Sequence, residues 1–335
     1  MKNKRTVAVR AVDHHCDNRR VGVVVIGRNE GQRLIDCLQS LGDLRDHTVY
    51  VDSGSTDGSQ GAAAAQGVHV VLLDPHVAFT AARARNLGLG YIIETWPDLE
   101  FVQFVDGDCR LDTSWIPVAE NFLQTRDDVA LVFGRRRERH PERSVYNAMC
   151  DREWDGVSGE TMECGGDVFA RIEVMRASGG YRERLIAGEE PELCVRLRRQ
   201  GYRIWRLSHD MTLHDANIMH LSQWWRRTMR AGHAYAEVYL LHRKTPWVIW
   251  GRNLARSAFW SLLLPLSIGL SLALHPAALL LLLLYPIQIV RLQRRENRWA
   301  PALLLMLGKF AEMQGALRFF ARRITNGRPA LIEYK

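Results

Sequence analysis

The stretch Phe101-Val-Gln-Phe-Val-Asp-Gly-Asp-Cys-Arg110 decides the fold. Its first five residues are mostly apolar and read as a short buried strand. Two aspartates separated by Gly107 follow at once. In an open α/β sheet, ligands enter the crevice beyond the carboxyl ends of the strands. Placed there, Asp106 and Asp108 form a pair able to hold a hard divalent cation that also binds phosphate oxygens. An Asp-x-Asp also arises by chance in a chain of this length. Its position after a strand, and the motifs around it, favour the metal site.

Outward from this strand the pattern is regular. Residues 21–26 are a continuous apolar run, as in a strand covered on both faces. Residues 32–41 carry Leu34, Ile35, Leu38 and Leu41 on one helical face. Residues 48–51 read as a second strand, 60–66 as an Ala-rich helix, 68–73 as a third strand and 79–93 as a helix. Strand alternating with helix at this rhythm predicts an α/β domain with a doubly wound, mostly parallel sheet. Beyond Asp112 the pattern predicts helices over 115–123, 172–177, 190–200 and 222–243, and strands over 129–133 and 202–207. Residues 135–167 are charged and irregular, with room for two short helices and a loop facing a substrate. No repeat period is present.

The chain has 335 residues, 47% of them hydrophobic, enough for one large α/β domain and a smaller region. Its net charge is +8, and from residue 291 onward ten Lys and Arg face three Glu, so nearly all of the surplus lies there. Beside a long apolar run, that charge points to an anionic lipid surface rather than nucleic acid. Residues 257–290 contain no Lys, Arg, Asp or Glu, and one spanning helix needs about 20 residues. Pro265, His275-Pro276 and Pro286 interrupt the run. They predict a hairpin of two short helices turning at His275-Pro276, either spanning or re-entrant, with a buried core pair as the alternative. Arg252 and Arg256 before it, and Arg291, Arg294 and Arg295 after it, place both ends on the cytoplasmic side. Residues 300–323, interrupted by Lys309, Glu312 and Arg318, read as an interfacial helix. A short basic tail, 328–335, ends the sequence. Residues 1–20 form a polar extension without the apolar core of a signal peptide. The six cysteines show no C-x-x-C pair and no zinc spacing, and read as reduced cytosolic thiols. The domain expectation is therefore an extension over 1–20, a catalytic domain over 21–243 and a membrane-associated helical region over 244–335.

Asp52-Ser-Gly-Ser-Thr-Asp-Gly-Ser59 puts a carboxylate at a strand end before a Gly/Ser turn. It suits a nucleoside, or is an ordinary βα turn capped by Asp57 or Ser55. Arg85 pairs with a diphosphate or orients Asp52, or is a solvated helix arginine. Glu189 and Glu190 open a helix, where the dipole favours a carboxylate. Crowding and burial would also fit one of them to act as general base. His214 is a candidate third metal ligand or a satisfied structural histidine. Gln223-Trp-Trp-Arg-Arg227 combines aromatics that stack on sugars or anchor at an interface with guanidiniums that bind phosphate. Phosphate loops of the G-x-x-x-x-G-K-[ST] and G-x-G-x-x-G types are absent.

Val23-Val-Val-Ile-Gly-Arg-Asn-Glu30, Asp52-Ser-Gly-Ser-Thr-Asp57, Arg85-Asn86, Asp106-Gly-Asp108, Gly188-Glu-Glu190 and Gln223-x-x-Arg226 occur in an order that resembles family 2 glycosyltransferases. The resemblance spans about residues 20–235. It implies a GT-A fold, a nucleotide-diphosphate sugar donor, Mg²⁺ or Mn²⁺, and inversion at the anomeric carbon. By that resemblance Glu30 and Asp52 contact the nucleoside, Arg85 supports the diphosphate, and Asp106 and Asp108 hold the metal. Glu190 stands where the family's Glu-Asp pair has its catalytic Asp, with Glu189 the second candidate. Gln223 and Arg226 match the Gln-x-x-Arg-Trp motif of processive members, but Arg227 replaces the Trp. The C-terminal region resembles the membrane tails of bacterial transferases that build exopolysaccharide or other lipid-linked glycans. The expected acceptor is then a lipid-linked glycan at the cytoplasmic face of the inner membrane. A sugar-nucleotidyltransferase would want a glycine-rich loop after the first strand, which is absent. An idle adaptor would lack the carboxylates, which are present.

Overall fold

The computed structural model describes residues 20–325. The sequence-stretches 1–19 and 328–335, with Cys16, lie outside the described residues. Arg20 belongs to the domain rather than to the extension, since its Nε donates to Glu100 Oε1 at 2.8 Å.

The strands are β1 (Val21–Gly27), β2 (Thr48–Asp52), β3 (His69–Leu72), β4 (Phe101–Asp106), β5 (Cys109–Leu111), β6 (Val129–Glu138), β7 (Gly159–Thr161), β8 (Val168–Arg171) and β9 (Arg203–His214). Among the described residues they form one sheet in the order β3-β2-β1-β4-β8-β6-β9-β5, with β7 also on β9. The first four strands are parallel, and β8 runs antiparallel between β4 and β6. This is a mixed, mostly parallel sheet core with helices appended C-terminally, as expected from the sequence.

The apolar run of β1 is buried on both faces because its side chains alternate between two cores. Val24 packs with Val51, Phe104 and Ile92 of α3 (Ala81–Thr95). Val23 and Val25 pack with Leu34 and Leu38 of α1 (Gln32–Ser40). α2 (Ser59–Ala65) and α4 (Trp115–Gln124) share that second face through Ala63 and Trp115. The register sets Gly27 beside Asp52 and Ile26 beside Asp106, so β1, β2 and β4 end together at one rim.

Residues 135–167 hold the two short helices expected, a 3₁₀ helix Pro141–Arg143 and α5 (Val145–Glu153), but strand as well: β6 continues through Glu138 and β7 follows α5. The outer half of β6 is charged, so no apolar run marked it. β5, β7 and β8 have three or four residues each, below the length at which alternation is readable. β9 runs past residue 207 to His214, and α6 (Ile172–Ala177) and α7 (Glu189–Arg199) precede it.

The C-terminal arm is α8 (Leu221–His242), α9 (Gly251–Ala258), α10 (Leu264–Leu272), α11 (Leu284–Glu296) and α12 (Trp299–Ile324). α9 passes through a π-helical turn, Phe259–Leu263, into α10. Pro265 lies just beyond that turn and has no N–H to give, which accounts for the widened backbone. The chain reverses at His275, whose Nδ1 accepts the N–H of Ala277 at 3.1 Å. The two legs, Gly251–Leu272 and Pro276–Glu296, are 22 and 21 residues and apolar enough to cross a membrane by length and composition. They begin earlier and end later than the expected hairpin. Leu266, Leu270, Leu280 and Ile287 are exposed on them.

α12 is docked on α8 along one face and exposes Trp299, Leu303 and Leu317 elsewhere. Glycines permit the approach: a Cβ on Gly232 would fall 1.9 Å from the Glu312 carbonyl oxygen, and one on Gly315 1.9 Å from that of Met229. Gly232→Ala or Gly315→Ala should therefore pry the two helices apart and cost about 1–3 kcal/mol. Thermal unfolding of the purified chain checks this, and an unchanged midpoint would mean the helices do not cross this closely.

Candidate active site

A cleft of about 900 Å³ opens beyond the common rim of β1 and β4. Arg28, Glu30, Arg33, Ser53, Arg85, Asp106, Asp108, Arg136, Glu189, Glu190, His214 and Gln223 all line it. Three segments distant in sequence supply its centre: the end of β4 and the start of α7 give carboxylates, and the end of β9 gives His214.

Arg85 is buried on α3 and ties the first two together. Its Nη2 donates to Asp106 Oδ1 at 2.9 Å, and its Nη1 to Glu190 Oε1 at 2.7 Å and Glu189 Oε1 at 3.0 Å. Burial alone would discharge this arginine, but Glu190, Asp106 and Glu189 hold it firmly charged. Arg136 of β6 grips the other side of Asp106, with Nη2 3.0 Å from Oδ2, and its Nε donates to Asp167 Oδ2 at 3.0 Å. Asp167 also accepts the backbone N–H of Asp106 at 3.0 Å and the Thr212 hydroxyl at 2.7 Å. Burial pushes the Asp106 carboxyl up, yet Arg85 and Arg136 outweigh it and hold the group well below the usual range.

Asp108 is buried, with Oδ2 3.3 Å from His214 Nε2. The pairing of β5 with β9 brings them together, since Cys109 lies opposite His214. On the other side of the ring, Nδ1 is 3.6 Å from Glu138 Oε2 and makes no hydrogen bond among the described residues. Glu138 is itself fixed by the N–H groups of Ala216 and His140. Burial lowers the His214 pKa although Glu138 opposes it, so the imidazole is neutral, the form that ligates metal. Two carboxylates and a neutral imidazole are donors that fit Mg²⁺ or Mn²⁺. A carboxylate behind the imidazole is a recurring support for such a ligand. The adjacent Cys109 thiol is pushed well up by burial and stays protonated.

Glu190 is mostly buried. Burial first, and then repulsion from Glu189, raise its pKa to about 7 against the pull of Arg85. A carboxylate poised there suits proton abstraction near neutral pH.

Other expected residues sit differently. Asp52 is fully buried, and its Oδ2 accepts from Gly54 N, Ser55 N and Gln60 Nε2 at 2.8–2.9 Å. Its Oδ1 accepts from the Tyr50 hydroxyl. It braces the turn, and Ser53 rather than Asp52 reaches the cleft. Arg85 makes its ion pairs with Asp106, Glu189 and Glu190 rather than orienting Asp52. Gln223 closes a capping box on α8 by accepting from the N–H groups of Met219 and His220. Arg226 is exposed and off the cleft wall; Arg227 and Arg230, one helical face around, line it instead. Trp224 packs in a small core with Tyr146 and Cys150, and the Trp225 indole donates to Gln314 of α12, so both hold the arm rather than a sugar.

Residues 22–174 match the family model described as glycosyl transferase family 2. That segment is a family 2 glycosyltransferase domain. Over 230 residues it is 29% identical to the succinoglycan biosynthesis protein ExoA of Rhizobium meliloti (strain 1021), covering 64% of this chain and 68% of that protein. Its fold is similar to that of the mannosyltransferase PcManGT from Pyrobaculum calidifontis, solved with GDP-Man and Mn2+. The TM-score is 0.62 at 18% identity, over 90% of this chain and 87% of that one. S. aureus TarS 1-349 in complex with UDP-GlcNAc is also similar, at a TM-score of 0.50 and 14% identity, over 92% of each chain.

Sequence reading of this glycosyltransferase missed Arg136, Asp167 and Glu138. Carrying the period-two pattern of 129–133 into the charged residues 135–138 would have reached Arg136 and Glu138. Asp167 had no signal, because β8 was unread. Removing the Arg85 charge, as in Arg85→Met, would leave Asp106, Glu189 and Glu190 facing one another. A loss of about 3–5 kcal/mol is expected in denaturant unfolding, whereas a loss under about 1 kcal/mol would show that this arginine is not the bridge.

Proposed function

We propose that this glycosyltransferase moves a sugar from a nucleoside diphosphate donor to a hydroxyl of a lipid-linked or glycan acceptor, with inversion, in exopolysaccharide or other cell-surface glycan assembly. One observation carries the reading: a single arginine joins the candidate base Glu190 to the candidate metal carboxylate Asp106 in one cleft. A displacement needs the attacking hydroxyl and the departing diphosphate on either side of one carbon. Arg85 fixes the groups that serve each.

Asp108 and His214, with Asp106 beside them, would hold Mg²⁺ or Mn²⁺. The relative solved with GDP-Man contains Mn2+. The cation would supply positive charge against the leaving diphosphate. Glu30 and the turn braced by Asp52 receive the nucleoside end, and Arg227 and Arg230 add guanidiniums to the wall. Glu190 accepts the proton of the acceptor hydroxyl as the new bond forms, and Glu189 holds Arg85 in place.

Residues 21–243 make the catalytic domain and 244–335 the membrane-associated region in this reading. The two legs with exposed leucines support seating in a bilayer, and ExoA is named for succinoglycan biosynthesis. Arg252 and Arg256 at the start of the first leg, and Arg291, Arg294 and Arg295 at the end of the second, support a catalytic domain on the cytoplasmic face of the inner membrane, where anionic lipids would meet the basic helices.

Asp108→Ala and Glu190→Gln should each abolish transfer from a nucleotide-sugar panel while leaving the circular dichroism unchanged, and chelation of divalent cations should do the same reversibly. Full activity in either variant sinks the assignment. The base must be ionised to work, so kcat/KM should fall about tenfold per pH unit below about 7 and level off above it. A profile flat from pH 5 to 8 would remove Glu190 from this role.

A further inference from the structure

The cleft has a part that neither the donor nor the metal uses. Glu163, Tyr235, Trp250 and Asn253 come to it from the loop before β8 and from the helical arm. The last three lie outside the segment that matches the family.

Trp250 is held in an unusual way. Its backbone is left-handed, with φ 64° and ψ 1°, immediately before α9. A bulky side chain seldom adopts that conformation, and such strain persists where the surroundings enforce it. Here they turn the indole inward. Gly188, also at positive φ, is the residue before Glu189, and a Cβ there would lie 3.0 Å from Trp250 Cζ3. Tyr235 meets the same ring edge-on, with centroids 5.1 Å apart. Trp247, three residues earlier, is exposed and lies under the Arg198 guanidinium, whose Cζ is 4.6 Å from the Trp247 ring centroid. Trp250 remains half-buried in the cleft wall.

Polar groups flank the ring. Glu163 Oε2 is buried and has no hydrogen-bond partner among the described residues. Burial raises the Glu163 pKa and the Trp250 indole N–H opposes the rise. The Asn253 amide lies near the Tyr235 hydroxyl. An aromatic face bordered by an unsatisfied carboxylate and an amide suits a pyranose, which offers C–H groups on its face and hydroxyls at its edge.

We propose that Trp250, Glu163 and Asn253 form the acceptor-sugar subsite, with the indole under the ring and the two polar side chains on its hydroxyls. The inference rests on the glycosyl-transfer reading above and adds where the acceptor sits. It also explains how the arm serves the reaction. The residue that seats the sugar is the one that starts the first apolar leg, so the acceptor's head is read where its lipid would leave for the bilayer.

The full chain in detergent, assayed with octyl glucoside, octyl galactoside and octyl mannoside below their micelle concentrations, tests this. Trp250→Ala should raise the acceptor KM about tenfold, while donor KM and donor hydrolysis to water stay within about twofold. Trp250→Phe should recover most of the loss, and Glu163→Gln should raise the acceptor KM without touching donor hydrolysis. The proposal is overturned if acceptor KM is unchanged in all three variants. It is equally overturned if donor hydrolysis falls in step with transfer, which would make Trp250 a packing support for α7. Wild-type protein that hydrolyses donor yet gains no rate from any glycoside also overturns it. Wild-type protein that turns over no nucleotide-sugar at all strikes the glycosyl-transfer reading instead.

Discussion

A buried guanidinium shared by three carboxylates sets the geometry of this cleft. Arg85 has no water to fall back on, so its charge must be met by protein. Asp106 from β4 and Glu189 and Glu190 from α7 meet it. α7 lies more than eighty residues beyond β4, and little else in the sheet fixes its first turn over the rim. The ion pairs do so, and they leave the Asp106 carboxylate oriented by Arg85 on one oxygen and Arg136 on the other. Two guanidiniums thus face Asp106, Asp167, Glu189 and Glu190, with Asp108 close by. The cluster is short of positive charge, and a divalent cation is the charge it lacks in the reading proposed here.

How much of this was legible depends on the range of the interactions. The parallel half of the sheet was readable because each strand is a solid apolar run with a helical face after it. The α/β class followed from that rhythm, and the GT-A class from the resemblance that the ordered motifs carry. The antiparallel half was not. β5, β7 and β8 are shorter than the pattern they would need to show, and the outer half of β6 is charged because it borders the cleft. Side-chain placement was legible by element and not by direction. Asp52 was found at its strand end, yet only its three backbone and amide donors reveal that it faces its own turn. Gln223 and Arg226 were found on one helix, but rotation about the axis decides which guanidinium reaches the cleft, and Arg227 does.

The helical arm is more than an appendage. α12 approaches α8 through glycines at backbone contact, and α8 contributes Arg227, Arg230 and Tyr235 to the cleft wall. Helices packed at that distance move together, since overlap of backbone atoms permits no sliding. The apolar legs, α12, α8 and the cleft wall therefore form a continuous mechanical path. Seating the legs in a bilayer would fix the angle at which the cleft meets the surface.

In the reading proposed here, the same constraints make Glu190 the base. Glu190 lies in the first turn of α7, where the unpaired N–H groups favour a carboxylate. Burial and Glu189 push the other way and prevail, bringing the group to about 7. A shorter aspartate at this position would sit nearer the helix axis and reach less far toward Arg85. The extra methylene of Glu190 lets one carboxylate both touch the guanidinium that steadies it and remain in the cleft. Glu189 is the more buried of the two and is the partner that tunes the site. In that reading the pair divides its work by exposure, with the inner carboxylate holding the arginine and the outer one left to take a proton.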